Sequence, residues 1–565
     1  MHPRCFSFIF YAIKSLKNLY RFNIRYKMRV SVRNTDMRNM NKLLAFLTLA
    51  CLPLAGCQTP GGSSNVSDPL SSGLSSSDES TESTEASSVS KVTADGYVVG
   101  YSRNGGIRID GYKGTEKDLV IPNKIEGDDV VSIGACAFID HTSLTSVVIP
   151  SGITYIGESA FKGCTSLRSV QVPNGVTTIE YEAFSGCSSL ESINIPTGID
   201  KINKGTFYCC SSLPSIIIPG NVTSIGQNAF ARCTSLTSVN VSNGLKQIGN
   251  DAFAYCFSLS SLTLPNSVTV ISGGSFEQCT SLRSFTMPSG LEQIGNDAFL
   301  GCSLLESVTM PNCVNWIGSR AFADCASLAS IVYSSGMVEI AQYCFQNCTS
   351  LSSFTIPSGI TAIRDNAFDG CTSLASVVIP ESVTEIWYQA FSYCTSLTSV
   401  NIPGEMTRVG RYAFKDCTSL VSVSIPKGTT YIDEGVFHGC TSLTSVNIAK
   451  AKVADEKAFE GCTSLTYIEI PQGLSFIDSR MFWHCTSLTS VKIPTSVKHI
   501  YTYAFNDCTS LTSVYYAGTS EEWSRVTIGD NNPELLSSTV YFFSEVQPTS
   551  SGNYWRYVNN VPTVW

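Results

Sequence analysis

A single register constrains this chain more than any other feature: Phe-x-x-Cys-x-x-Leu recurs along it at a fixed interval. Cysteines fall at 164, 187, 210 and onward to 440 with a constant spacing of 23 residues, then at 462, 485 and 508. One earlier unit has His141 in the cysteine place. All 17 units carry Phe three residues before and Leu three residues after that position, from Phe138 and Leu144 to Phe505 and Leu511. Self-similarity at such a period marks a stack of like supersecondary units, not a set of unrelated globules.

The unit beginning at Cys164 shows how one turn of chain folds. Leu167, Val170 and Val172 alternate as a strand does, and Pro173-Asn174-Gly175 turns the chain. Val176, Ile179, Ala183 and Phe184 return apolar groups to the same interior before Cys187 restarts the coil. One coil alone would leave both flat faces wet; stacked coils cover each other, and stability becomes a sum over neighbours. The expected fold is a β-rich solenoid, an arc of about 17 coils on the order of 80 Å long at ~4.8 Å per coil. A parallel sheet lines one face, irregular or short helical segments line the other, and both ends are capped. Two departures disturb the pattern. Five extra residues separate Pro122 from Pro150, which predicts an irregular first coil. Between Cys440 and Cys462 the spacing drops to 22 and Ala449 replaces the strand-ending proline, which predicts a kink or bulge.

The chain has 23 cysteines, a number that in an exported protein suggests disulfides. The ladder spacing argues otherwise. Equivalent residues of adjacent coils sit near the ~4.8 Å strand separation, beyond the ~3.8 Å between Cβ atoms that a disulfide prefers. No Cys-x-x-Cys pair suggests a metal. The ladder therefore reads as buried free thiols, each able to donate weakly to a turn carbonyl. Cys136, Cys209, Cys313 and Cys344 lie off the ladder, and an isolated bridge among them stays open.

Ahead of the repeats, Met40-Asn41-Lys42 precedes an apolar run from Leu43 to Gly56, too short to span a bilayer and shaped like a signal peptide. The run ends Leu54-Ala55-Gly56-Cys57, which resembles a bacterial lipobox. That resemblance implies that Cys57 receives a diacylglycerol and becomes the mature N-terminus. Residues 1–39 hold nine basic residues, an overlong n-region, which suggests that the true start is Met37 or Met40. The stretch after Cys57, rich in Ser, Gly, Asp and Glu, cannot bury a core and reads as a tether.

The motif Cys-Thr-Ser-Leu-x-Ser-Val-x-Ile-Pro with Ile-Gly-x-x-Ala-Phe resembles the 23-residue leucine-rich repeat of BspA-like bacterial surface proteins. Tyr97 to Tyr112, with Arg103-Asn104-Gly105-Gly106 as a hairpin turn, resembles that family's N-terminal cap. Tyr515-Tyr516-Ala517-Gly518, Glu521-Glu522-Trp523 and the final Tyr554-Trp555 to Trp565 resemble its C-terminal cap. The expected domains are a signal peptide at 1–56, a lipidated tether at 57–93, a cap hairpin at 94–118, the repeat array at 119–513 and a C-terminal cap at 514–565. The resemblance implies a lipid-anchored protein on the extracellular face of a bacterial envelope. It also implies adhesion to host matrix proteins or other cells, with glycan capture and a passive envelope spacer as rivals.

Chemistry is scarce in this sequence. No nucleophile elbow, P-loop, HExxH or dinucleotide fingerprint occurs, so neither catalysis nor a cofactor is expected. Histidines 484 and 499 lie in neighbouring coils and read as a solvated pair. The acids read as scattered over variable positions without convergence. Residues 1–56 hold ten of the 37 basic residues and one of the 45 acids, which leaves the rest at 27 basic against 44 acidic. So acidic a body disfavours nucleic acid.

On the strand face, the position five after each cysteine is Ser in every unit but that of Tyr467. The position seven after is mostly Thr, Asn or Val, ending with Glu469, Lys492 and Tyr515. This neutral ridge suits many weak contacts with protein or glycan. Aromatic residues gather elsewhere: Trp387, Tyr388, Tyr393 and Tyr412 in successive coils, and Trp483, Tyr501 and Tyr503 further on. They are the candidate binding residues, set against the alternative that the rings pack sideways on neighbouring coils.

Overall fold

The computed structural model describes residues 91–565 apart from 104, 427, 428, 430, 449–452, 550 and 560. Cys57, the apolar leader and most of the tether lie outside the described residues, as do Asn104 of the hairpin turn and Ala449. From residue 91 onward the chain is a β-solenoid of about 19 turns, and helix is confined to its last part. Among the described residues the α-helices are α1, Ser520–Trp523, and α2, Pro533–Ser537.

Each coil has three sides. The first is a strand such as Ser169–Gln171, paired in parallel and in register with its equivalents in the coils before and after, Val147 to Val170 to Ile193. Its central residue is buried and its flanks are exposed, as the alternation predicts. The second side, expected to be irregular or helical, carries another parallel ladder of two-residue strands, Tyr155–Ile156 beside Thr178–Ile179. On the third side the Phe-x-x-Cys segment makes no helix. Ser159, Phe161 and Gly163 donate their N–H groups forward to Tyr181, Ala183 and Ser185 carbonyls at 2.8–2.9 Å. Strand-side bonds run backward, Arg168 N–H to Thr145 O at 2.9 Å.

The forward ladder has a backbone requirement. The residues five and one before each cysteine position are left-handed in every coil, with φ between 51° and 75°. Those two reversals aim alternate N–H groups at the next coil, satisfying between coils what a helix would satisfy within itself.

The interior consists of columns. Phe138 to Phe505 form a continuous stack whose sixteen successive ring pairs lie 4.9–6.0 Å apart and within 21° of parallel. Beside it, each of the sixteen ladder thiols donates to the carbonyl of the phenylalanine one coil earlier, at 3.1–3.3 Å. All sixteen are free and buried.

Threonines of the Cys-Thr-Ser-Leu motif repeat the device nearer the surface, Thr372 Oγ1 donating to Thr349 O at 3.4 Å and Thr395 Oγ1 to Thr372 O at 3.4 Å. Off the ladder, Cys136, Cys313 and Cys344 are free thiols, and Cys209 is buried. Cys344 occupies an alanine column. Cys313 replaces a turn serine: its thiol donates to Leu291 O at 3.1 Å as Ser267 Oγ donates to Leu245 O at 2.6 Å.

The ends are closed by aromatic groups. The hairpin of Tyr97–Tyr101 and Ile107–Tyr112 adds in parallel to Asp128–Ile133. Tyr112 stands between Tyr97 and Phe138, at 5.1 and 5.8 Å. In the cysteine place of the first coil, His141 Nε2 lies 2.8 Å from Tyr112 O. The five extra residues form an antiparallel hairpin, Lys124–Ile125 against Asp128–Ile133, turning through Glu126 and Gly127 at φ 54° and 99°.

At the other end Trp555 is fully buried and donates Nε1 to Tyr516 O at 2.8 Å. Asn532, also buried, accepts from the Phe505 N–H that has no further coil to meet, at 2.9 Å. Near the 22-residue unit, strand pairing stops at Ser445–Asn447 and resumes with Tyr467–Glu469. The same interruption follows Ser192–Ile193 and Ser330–Val332, where the spacing is a regular 23, so the shortened unit alone does not account for it.

Candidate binding face

The aromatic candidates lie on the turn side, in the columns that precede each cysteine. Seven before the cysteine glycine is the commonest residue, because the coils approach closely there. A Cβ on Gly295 would stand 2.3 Å from the Gly273 nitrogen, and one on Gly318 2.3 Å from the Asn296 nitrogen. From residue 364 onward that column holds Arg364, Trp387, Gly410, Asp433, Asp455, Asp478 and Tyr501. Side chains there are accommodated with little separation of the coils: the Trp387 and Tyr501 N–H groups donate to the Ile363 and Ile477 carbonyls at 2.9 Å, against 2.8 Å for Gly295 to Ile271, and the Asp433 bond to Val409 O lengthens to 3.3 Å. Tyr393, Tyr412 and Tyr503 sit in the left-handed columns at φ 56°, 55° and 61°, where Gly370 and Gly435 serve one coil away from Tyr393 and Tyr412. A bulky residue at such a φ costs about 1 kcal/mol or more relative to glycine.

The structure brings four of the seven candidates together. Trp387 and Tyr388 are 37% and 44% exposed. The Arg364 guanidinium lies 4.7 Å from the Trp387 ring centre, and Trp387 Nε1 donates to Glu385 Oε2 at 3.1 Å. Tyr388 meets Tyr412 edge-on at 6.4 Å. Tyr393 and Tyr412 are half-buried and share Lys415, whose Nζ lies 5.0 and 5.9 Å from their rings and donates to Tyr393 Oη at 2.9 Å. Tyr412 Oη donates to Glu434 Oε1 at 2.6 Å.

Trp483 belongs to a second patch, three coils beyond Tyr412. It stacks on His484 at 4.8 Å and lies 6.3 Å from Tyr503, with Arg480 over it at 5.0 Å. His484 is not merely solvated, since its Nδ1 lies 3.4 Å from Asp507 Oδ2.

Between the patches the acids converge, which corrects the expectation that they are scattered. Arg408, Arg411, Asp433, Glu434, Asp455, Glu456 and Asp478 line a cleft of about 250 Å³. Arg408 donates to Asp433 Oδ2 at 2.6 Å, and Arg411 pairs with Glu434. Burial works against ionised Glu434, yet donors on Tyr412, Arg411 and Lys457 hold its carboxyl down at about 2. Asp455 is raised instead, by burial and then by the charges of Asp433, Asp478 and Glu434. Burial raises Asp478 as well, against the Ser479 N–H and with Glu456 adding to it. One cleft thus holds a fully answered carboxylate beside two that are not.

A family model described as the BspA type leucine rich repeat region (6 copies) matches residues 131–260, 246–375, 338–454 and 449–527. The chain belongs to the BspA-type leucine-rich-repeat family. No curated protein matches it. Among solved structures, a leucine-rich repeat protein from Bacteroides ovatus is 26% identical, over 80% of this chain and 99% of its own, with a TM-score of 0.47. A leucine rich cell surface protein from Faecalibacterium prausnitzii is 25% identical, over 78% and 98%, with a TM-score of 0.33. The T. pallidum leucine rich repeat protein is 30% identical, over 42% and 90%, with a TM-score of 0.29.

In this BspA-type array the strand ridge is less available than its composition suggests. Asn194 and Asn401, seven after their cysteines, spend their amides on the preceding coil. Asn194 accepts from Val172 N–H at 2.8 Å and donates to Val172 O at 2.7 Å; Asn401 does the same with Ile379 at 3.0 and 2.9 Å. The acidic cleft, absent from the sequence reading, had a legible signal: Ile-Gly becomes Ile-Asp, Ala-Asp and Ile-Asp in three successive units.

Proposed function

We propose that this BspA-type protein is a lipid-anchored binding protein of the bacterial cell surface, an adhesin that presents its repeat array to protein ligands of a host matrix or of other cells. It performs no catalysis. The observation that carries the reading is the exposed pair Trp387 and Tyr388, braced by Arg364 and Tyr412 on a rigid stack, where the repeat would otherwise use glycine and small polar residues. Trp, Tyr and Arg are the residues that dominate binding energy at protein interfaces. The sequence Leu54-Ala55-Gly56-Cys57 and the Ser-rich stretch after it support an anchor and tether, and many copies on one membrane convert weak contacts into avidity. Capture of glycans is the second reading, because exposed rings also stack on sugars.

Saturable binding of the full chain to immobilised matrix proteins is the expected result, with sugars on a glycan array dark. Trp387→Ala with Tyr388→Ala is expected to weaken that binding by roughly tenfold or more. The melting temperature should hold, since truncations at such exposed sites stay within about 0.5 kcal/mol. Sugar binding lost in the double variant would replace adhesion by capture. Absence of both would leave a passive spacer. For the anchor, Cys57→Ala should abolish incorporation of labelled fatty acid in growing cells; unchanged labelling would remove the lipid from the proposal.

A further inference from the structure

The cleft between the two aromatic patches carries an excess of acid over base. Two guanidiniums face five carboxylates across it. Arg408 is committed to Asp433, Arg411 to Glu434, and Lys457 to Glu434 and Glu456. Among the described residues the Asp455 carboxylate has neither a hydrogen bond nor an ion pair. The Asp478 carboxylate, among the described residues, accepts only from the backbone N–H of Ser479, at 2.7 Å. Burial and like charges hold both carboxyls above their usual range, the condition that an incoming cation relieves.

The column that carries these acids also carries the rings. Along it run Trp387, Gly410, Asp433, Asp455, Asp478 and Tyr501, one residue per coil, with Trp387 and Tyr501 37% and 45% exposed. From Trp387 to Tyr501 is five coils, roughly 25 Å, the reach of about seven residues of extended peptide. The cleft has room for a single long side chain. No group of three His, Cys, Asp or Glu among the described residues could hold a metal ion, and a free polyamine would leave the rings without a role.

We propose that the turn side between Trp387 and Tyr501 docks an extended basic segment of a protein partner, with a lysine or arginine side chain entering the cleft beside Asp455 and Asp478 and its apolar neighbours lying on the flanking rings. Charge complementarity selects the occupant: a cation placed there gains two uncommitted carboxylates without breaking an existing pair. This deepens the adhesin reading and rests on it for the existence of a protein ligand.

The test titrates the full chain and its Asp455→Asn, Asp478→Asn double variant with three labelled probes. These are a seven-residue peptide alternating Arg with Tyr, the same peptide with Glu for Arg, and spermine; about seven residues is the length set by the strand rise. The Arg peptide is expected to bind saturably and to bind the double variant roughly tenfold or more weakly, as loss of a desolvated ion pair requires. The Glu peptide should not bind. The variant's melting temperature should stay level or rise, because the change removes like charges. Equal binding of the Arg peptide to both proteins, or of Glu and Arg peptides to one, overturns the proposal. Spermine matching the Arg peptide and displacing it overturns the protein partner. Matrix binding measured alongside separates the two levels. A variant that keeps it while no peptide binds the parent leaves the adhesin reading standing and removes only this site.

Discussion

Phe299→Ala is expected to lower the unfolding free energy by roughly 3–5 kcal/mol, the range for emptying a buried aromatic site. Phe299 has no exposed surface. Its ring lies between Phe276 and Phe322, at 5.3 and 5.2 Å, and meets Phe285 edge-on at 4.9 Å. The truncation therefore strips three ring contacts at once. A stacked array gives the loss a particular form, because each coil is stabilised only by its neighbours. Amide hydrogen exchange should accelerate in the coils around residues 276–322 and remain slow near Trp555. Phe299→Leu keeps much of the volume and should cost less. A loss under about 1 kcal/mol, or exchange that rises evenly along the array, would mean that the ring column is not what joins coil to coil.

The columns that make this prediction were legible because they follow directly from a fixed spacing. Once Phe and Cys recur every 23 residues, translation by one coil must superpose them, and an apolar ring can only be stacked on its equivalent. Backbone conformation on the third side was not legible. The column five before the cysteine holds Ser159, Glu182, Arg320, Tyr412 and Tyr503 as readily as Gly205, so it carries no consistent signature of φ, whereas the column one before favours Gly, Asp and Asn, as at Gly163, Asp324 and Asn347. What imposes it is the forward N–H ladder between coils, a tertiary requirement that local preference does not report. Short helical segments were expected on that side for the same reason: its turns read as local structure, whereas their hydrogen bonds are made to the next coil.

The functional residues divide along the same line. Trp387, Tyr388, Tyr393 and Tyr412 were legible as departures from a pattern, and proximity followed from the period. Asp433, Asp455 and Asp478 depart in the same column but are ordinary surface residues by type, so composition concealed them. Their meaning depends on which cations already answer them: Glu434 is satisfied three times over by Tyr412, Arg411 and Lys457, while Asp455 beside it is not. That difference belongs to side-chain reach and cannot be counted from spacing. Periodic proteins confine variation to positions where the stack tolerates it, and here the tolerated column is where a glycine elsewhere lets the coils close.

The sixteen ladder thiols are expected to be inert in the folded protein and to make it fail in alkali. Burial pushes Cys164, Cys233 and Cys508 up from 9.0 to about 12, opposed by the backbone of His141, Cys210 and Cys485 one coil earlier, and drives the other ladder thiols upward as well. At pH ~8 a thiol so raised carries about a thousandfold less thiolate, and the thiolate is the nucleophile. Iodoacetamide should therefore alkylate Cys136 and Cys313, which are exposed, long before any ladder position. After unfolding without reductant all sixteen should react. Linkage fixes the sign of the pH effect. A thiol whose folded pKa is raised adds stability that is complete below its unfolded value and is lost as pH climbs from about 9 toward 12. Each contributes up to about 1.4 kcal/mol per pH unit across that window, and sixteen act together. Circular dichroism should thus show cooperative loss of the β signal between about pH 9 and 11, with ladder alkylation rising in step. A fold intact at pH ~12, or ladder thiols labelled at neutral pH as fast as Cys136, would show that the sulfur column does not sit in a closed interior.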